Sequence, residues 1–174
     1  MIESKALAIH SEESEQAVIG AILVDENCFD IVRDWIPEKE VFYKYKHQEI
    51  WEAISELRRE NIPVDFVNVS SKIKGITYYL TGLVDKVPTT ANITLYARQL
   101  NEDWLRRKLV KQSQIIAQQA LDSTNDITKL LEDVHETAGS LINLEPGQHF
   151  DINELLEQTK ESLFTKKNLT QTGF

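Results

Sequence analysis

The sequence is poor in residues that interrupt helices or form covalent cross-links. Its 174 residues include only six glycines, four prolines and one cysteine, Cys28. A single cysteine excludes an intramolecular disulfide, which is typical of a protein from a reducing compartment. Because glycine and proline mark turns and breaks, their scarcity predicts a helix-rich chain.

Long apolar runs are also absent. The longest, AVIGAILV at 17–24, has eight residues, whereas a membrane-spanning helix needs about 20. The first ten residues, MIESKALAIH, contain no basic region followed by an apolar core, which a secretory signal peptide would have. We therefore expect a protein that has no membrane contact and is located in the cytoplasm.

The sequence lacks the common motifs of catalytic and metal sites. No GxxxxGK[ST] loop occurs, and no glycine is followed by lysine. The four histidines form no HxxxH or HExxH pair, and no GxSxG motif appears. We therefore predict that this chain is not an enzyme, that it binds no cofactor or metal, and that each histidine serves packing or lies at the surface.

Apolar spacing predicts an all-α fold that begins with a small helical head at 11–87, after a flexible N-terminus at 1–10. Ser11 is a candidate cap for the first helix, and further helices are expected at about 26–35 and 44–60. Asp65 or Asn68 would cap the next helix. The glycines at 75 and 82 would bracket one more short helix.

A long antiparallel helical hairpin is predicted at 88–143, because more than 30 residues after Pro88 contain neither glycine nor proline. A linker at 144–174 would follow, with a short docking helix at about 152–164. Asp151 and Glu154 resemble a capping box for that helix. Its apolar side would consist of Ile152, Leu155, Leu156, Leu163 and Phe164.

Positive charge is scarce overall, with 19 basic against 28 acidic side chains and a net charge of −9. This balance argues against broad adhesion to nucleic acid. It also makes LRRKLVK at 105–111 conspicuous, because four cations are concentrated there. The basic cluster consists of Arg106, Arg107, Lys108 and Lys111.

Three interpretations of the basic cluster remain open at this point. Residues 91–121 have a local net charge of +3 and residues 126–142 one of −3, so the two hairpin helices would complement each other within one chain. The cluster would otherwise bind nucleic acid, or flank a surface for a partner protein. Apolar residues at helical spacing favour the partner protein. The predicted interface consists of Trp104, Leu105, Leu109, Ile115, Ile116, Ile127, Leu131, Val134 and Ala138.

Several motifs, in one order over about residues 10–143, resemble a known family. They are SEQAVIGAIL, VFYKYKHQEIWEAI, IPVDFVNV, ANITLYARQL and LRRKL. In this order and spacing they resemble the N-terminal domain of DnaB-type replicative DNA helicases. The chain departs from the family pattern between SSKIK and GITYYLTGL, where it has fewer residues than usual, and at EVFY. Such departures suit a phage or plasmid-borne member, and they bear on whether the usual primase contact is kept.

The resemblance implies a helical head and a hairpin that pairs between subunits, as a dimer or as a trimer of dimers in a hexamer. It implies docking of a primase or a helicase loader, and a linker helix that packs on a neighbouring subunit's motor domain. The longer parent would unwind DNA in the 5'-3' direction with ATP and Mg held by a motor domain absent from this chain. The alternatives are a free-standing adaptor or helicase-loading factor of the same fold, and a nucleic-acid-binding helical module.

Overall fold

The computed structural model describes residues 9–86 and 89–142. Over these ranges the backbone forms seven α-helices, one 3₁₀ turn at Lys39–Val41 and no strand, which confirms the all-α prediction. None of these helices is both long and apolar enough to cross a membrane. The helices are α1 (Glu12–Val24), α2 (Asn27–Val32), α3 (Tyr45–Arg59), α4 (Phe66–Lys72), α5 (Thr77–Val84), α6 (Ile93–Leu121) and α7 (Ile127–Ile142).

Capping side chains fix where several helices begin. The Ser11 hydroxyl accepts a hydrogen bond from the Ser14 N–H at 3.2 Å, which confirms the predicted cap of α1. Asp65 rather than Asn68 caps α4, since its Oδ1 accepts from the Asn68 N–H at 2.7 Å. Each cap satisfies a backbone donor that the first helical turn leaves without a partner.

One of the two predicted glycine breaks is wrong. Gly75 has a φ of +75° and precedes α5, as expected for a residue that adopts the left-handed conformation without a steric penalty. Gly82, however, lies inside α5, which continues to Val84. Glycine costs a helix about 1 kcal/mol relative to alanine, and burial of the neighbouring Leu80 and Leu83 in the core offsets this cost.

The core of the head forms where α1 packs against α5 and α6. Its members on α1 include three fully buried residues, Val18, Ile19 and Ile22. The first half of α6 belongs to the same core through a buried row at helical spacing. This row consists of Ile93, Ala97, Leu100 and Trp104. Head and hairpin therefore share α6, and the predicted boundary at 87/88 does not separate two packing units.

The carboxylate of Glu15 is fully buried and joins α1 to α3. Its oxygens accept hydrogen bonds from the backbone N–H groups of Tyr43 (2.6 Å) and Lys44 (3.3 Å), and it also contacts His47 Nδ1. Lys44 is the N-cap residue of α3 and its side chain makes no capping bond. A side chain from α1 therefore satisfies two backbone donors that immediately precede α3.

His47 extends this contact to α5. Its Nε2 lies 2.5 Å from the Tyr79 hydroxyl oxygen. Burial raises the pKa of Tyr79, which favours the protonated hydroxyl as the donor to Nε2. His47 Nδ1–H then donates to Glu15, and both ring nitrogens are satisfied. The packing role predicted for His47 is what the structure shows.

We expect Glu15→Gln to lower the free energy of unfolding by about 3 kcal/mol. The glutamine NH2 would stand against N–H donors, leaving buried polar groups without acceptors. Urea denaturation followed by circular dichroism measures the change. Glu13→Gln is the matched control, since Glu13 is exposed on the same helix and a change within about 0.5 kcal/mol is expected there. Equal effects of the two substitutions would contradict the structural role given to Glu15.

Candidate protein interface on the hairpin

The hairpin consists of the second half of α6 and the antiparallel α7, which pack against each other. The turn between them is closed by Asp122, whose Oδ1 accepts from the Thr124 N–H at 3.0 Å. Leu130 is the only residue of α7 that is buried. Val134 and Leu141, which lie on the same face of α7 at helical spacing, are half-buried. One narrow row of side chains thus holds α7 to α6.

Much of the remaining apolar surface of the hairpin is exposed. Near its tip lie four large apolar side chains that are exposed within residues 9–86 and 89–142, and we call them the tip seam. They are Ile115, Leu121, Ile127 and Leu131, with exposed fractions of 39%, 87%, 63% and 62%. Single exposed apolar residues are normal on a soluble protein, whereas several large ones close to one turn are a candidate contact surface.

A second apolar feature, the base groove, lies between α6 and α7 at the end nearer the head. Its volume is about 550 Å3. Two charged residues contribute to its lining together with five apolar ones. The lining residues are Glu102, Leu105, Arg106, Leu109, Ala138, Leu141 and Ile142.

The predicted interface residues divide among these places, and Trp104 is in none of them. Trp104 is 2% exposed and belongs to the core of the head, so its assignment to the hairpin surface is wrong. The face of α6 that carries it points toward α1 and not toward solvent. The others fall in the tip seam (Ile115, Ile127, Leu131), in the base groove (Leu105, Leu109, Ala138) or half-buried on the hairpin helices (Ile116, Val134).

Leu141 and Ile142 also line the base groove, whereas the individually predicted interface residues of α7 end at Ala138. Their apolar spacing in α7 was the available signal for their place on the hairpin. The predicted docking residues Ile152, Leu155, Leu156, Leu163 and Phe164 lie outside the described residues. Over 9–86 and 89–142, no group of histidine, cysteine, aspartate or glutamate side chains is arranged to hold a metal ion.

The basic cluster does not form a continuous surface patch, because Arg107 turns toward the head. Its guanidinium donates hydrogen bonds to the backbone oxygens of Ile9 (2.9 Å), Glu40 (3.0 Å) and Val41 (2.8 Å). It also lies 5.7 Å from the centroid of the Tyr43 ring. Burial lowers the pKa of Arg107, although a guanidinium stays charged in proteins. Arg107 therefore ties α6 to the N-terminal segment and to the 3₁₀ turn.

Lys108 is likewise used within the chain. Its ammonium pairs with the carboxylate of Glu38 and lies 4.2 Å from the centroid of the Trp104 ring, in a cation–π arrangement. Arg106 and Lys111 remain exposed. Only two of the four predicted cations are therefore fully presented to solvent.

The opposite charges of α6 and α7 do not pair with each other within the chain. In the described ranges, the ion pairs of α6 are Arg98–Glu102, within the helix, and Lys108–Glu38, to the head. No ion pair there involves α7. The idea that charge pairing between the hairpin helices explains the basic cluster is therefore wrong, and the carboxylates of α7 face solvent.

The sequence model of the family described as DnaB-like helicase N terminal domain matches residues 8–102, more than half of the chain. The chain belongs to this family. It is 30% identical over 161 residues to the Replicative DNA helicase DnaC of Bacillus subtilis, covering 87% of this chain and 35% of that protein. It is also 30% identical over 170 residues to the Replicative DNA helicase DnaB of Geobacillus stearothermophilus, covering 92% and 37%. The chain thus spans about a third of these relatives.

Solved structures show the same fold. The N-terminal domain of DnaB helicase from Mycobacterium tuberculosis superposes with a TM-score of 0.68 at 24% identity, over 76% of this chain and 97% of that one. A structure described as a DnaB-like replicative helicase and its interactions with primase superposes with a TM-score of 0.59 at 21% identity. It covers 86% of this chain and 35% of that one. The family and the all-α fold expected from the motifs are confirmed.

We expect Arg107→Lys to destabilise the protein by about 1–2 kcal/mol, because an ammonium cannot reproduce the planar fork that reaches three carbonyls. Thermal and urea unfolding measure the loss. The adjacent Arg106→Lys is the matched control, and its effect should stay within about 0.5 kcal/mol because Arg106 is exposed. If Arg106→Lys were as destabilising as Arg107→Lys, the inward orientation of Arg107 would be refuted.

Proposed function

We propose that this chain is the oligomerisation and partner-docking module of a replicative DNA helicase, and that the hairpin carries the self-association. The observation that supports the proposal is the tip seam, four large apolar side chains that the described part of the chain leaves exposed. Removing apolar surface from water is favourable by about 25 cal/mol per Å2. A second hairpin is a partner of matching shape and composition, because a two-fold interface uses the same patch on both copies.

Charge supports the same arrangement. Arg106 and Lys111 of α6 are exposed, and so are Glu132, Asp133 and Glu136 of α7. Since none of them is paired within the described chain, pairing of two hairpins with α6 of one beside α7 of the other would bring opposite charges together. Such complementarity contributes to register and partner choice more than to affinity.

In the longer protein, six copies would form a trimer of dimers, and a primase or a helicase loader would dock on this module. ATP and Mg would be bound by a motor domain outside this chain, which would carry out unwinding. Support comes from the relatives, which are replicative DNA helicases, and from the neighbour whose description names interactions with primase. The alternative of a nucleic-acid-binding module loses support, since Arg107 and Lys108 are engaged by the head.

Self-association predicts a defined effect for Leu131→Asp. We expect the unaltered chain to form a concentration-dependent dimer in analytical ultracentrifugation, and the variant to weaken it about 100-fold, or roughly 2.7 kcal/mol. Thr128→Asp adds the same charge to an exposed position of the same helix and should leave the dimer intact. Both variants should keep the helicity of the parent. A chain that stays monomeric at high concentration would refute the pairing.

The purified chain should show no ATP hydrolysis, with or without single-stranded DNA, because its sequence contains no phosphate-binding loop of the GxxxxGK[ST] type. A coupled phosphate-release assay, with a full-length replicative helicase as the positive control, makes the test. DNA-stimulated turnover that copurifies with the chain would overturn the assignment of this chain as a non-catalytic module.

A further inference from the structure

α7 is weakly held by the rest of the described chain. Only Leu130 of its 16 residues is buried, whereas six of the 15 residues of α3 are buried. Among the described residues, no ion pair and no side-chain hydrogen bond joins α7 to another helix. Segments with few buried apolar contacts belong to the least stable parts of a protein.

The end of α7 is also separated from α6. The base groove of about 550 Å3 lies between the two helices there, and Ala138, Leu141 and Ile142 line it on the α7 side. Ile142 is 51% exposed and Leu109 on the opposite wall is 56% exposed, so the two walls do not cover each other. The packing of α7 on α6 is therefore closest around Leu130 and becomes looser toward the end of the helix.

The formation of α7 is unfavourable for a second reason, which is helix nucleation. The second half of α6 continues from a half that the head holds in place, so it only has to propagate. α7 follows the turn at 122–126 and has to form its own first turn, which is the costly step of helix formation. Its 16 residues are close to the length of about 12–15 below which isolated helices are marginal in water.

Gly139 weakens α7 further, and no packing contact in the described structure requires a glycine there. It lies inside the helix, nine residues after Leu130, which places it on the opposite side at about 100° per residue. A Cβ at this position would meet no atom within 4 Å among the described residues. Since glycine is a poor helix former, α7 depends mainly on its apolar side, where Ile127 and Leu131 are more than 60% exposed.

We propose that α7 closes on α6 only when two subunits pair, so that self-association completes the hairpin. The inference rests on the proposed function, because the second copy supplies the apolar contacts that Ile127 and Leu131 lack among the described residues. In the lone subunit α7 is mostly open, and the cost of closing it reduces the affinity of pairing. By linkage, any partner that binds closed α7 strengthens self-association, and self-association strengthens the binding of that partner.

Hydrogen exchange of the full 174-residue chain over a dilution series tests this coupling. Sedimentation at the same concentrations gives the fraction of dimer. We expect the amides of α7 to be at least about 100-fold more protected in the dimer than in the lone subunit. The amides of α3 are the internal control, because the head holds this helix in both states. Equal protection of α7 in the dimer and in the lone subunit would overturn the inference.

Gly139→Ala is an independent test, since it stabilises α7 without changing the tip seam. Alanine favours a helix over glycine by about 1 kcal/mol, which is about fivefold in the closed fraction of α7. Because a dimer closes two copies of α7, its dissociation constant should fall about 25-fold.

Gly82→Ala is the matched control. Gly82 also lies inside a helix with no atom within 4 Å of an added Cβ, but buried residues on both sides already hold α5 in the head. The dissociation constant should therefore change by less than about twofold. An unchanged dissociation constant for Gly139→Ala, or an equal fall for both variants, would contradict the coupling.

Failure of the pairing and failure of the coupling are distinguishable. A chain that never dimerises in sedimentation removes the pairing and the coupling with it. A chain that dimerises while α7 is equally protected in both states removes the coupling alone. The helicity of Leu131→Asp is accordingly compared with that of the parent diluted to the lone subunit, because α7 is open in both.

Discussion

The buried carboxylate of Glu15 is the contact on which the arrangement of the head depends. Taking a charged group out of water costs several kcal/mol unless hydrogen bonds replace its hydration. Here the replacement comes from two backbone N–H groups at the start of α3 and from His47, whose other nitrogen bonds Tyr79. The carboxylate is satisfied only when α1 and α3 occupy their observed positions, and Nε2 of His47 has its partner only when α5 does so as well. This requirement selects one packing of helices whose apolar faces alone would permit several.

The position of α1 in turn determines where the hairpin begins. α6 packs on α1 through its first half, and the last fully buried residue of α6 is Trp104. Arg107 and Lys108 follow immediately and connect α6 to backbone and carboxylate groups of the head. Beyond them the 29-residue helix continues past its own core, and among the described residues its apolar side chains there pack mainly against α7. The same helix is therefore a core element at one end and, at the other, part of the exposed surface that we propose for self-association.

The sequence predicted where the helices lie along the chain better than it predicted which surfaces pack against them. The caps Ser11 and Asp65, the two long helices and the turn between them follow from local chemistry, which acts over a few residues. The family motifs indicated the fold because they record an arrangement already adopted by relatives. Trp104, by contrast, was predicted to lie in the hairpin interface, whereas it is buried in the core of the head. Helical periodicity shows that a face is buried but not whether the covering surface comes from the same chain or from a partner.

For charged residues, too, the sequence did not predict which side chains point into the protein and which into solvent. Arg106 and Arg107 are adjacent and identical in the sequence, yet one is exposed and the other donates to three carbonyls. Successive helical residues point about 100° apart, so Arg106, Arg107 and Lys108 together span about 200° of α6 and cannot all face solvent where one side of the helix packs on the head. Glu15 lies in the acidic first turn of α1, where glutamates normally interact with the helix dipole in solvent. Its inward direction depends on donors 28 residues later in the chain, which no local pattern contains.

The unpaired charges of α7 follow from the division of α6 between the head and the hairpin. The head engages Arg107 and Lys108, and Arg98 is engaged by Glu102 within α6. Arg106 and Lys111 then remain as exposed cations on the hairpin, opposite in sign to the carboxylates of α7. If the opposite charges of α6 and α7 served only to hold one hairpin together, ion pairs between the two helices would be expected. The helices pack closely enough for such pairs, because Leu130 is only 7% exposed. The absence of such pairs within the described hairpin leaves both sets of charges available to a surface outside it, beside the exposed apolar side chains of the tip seam.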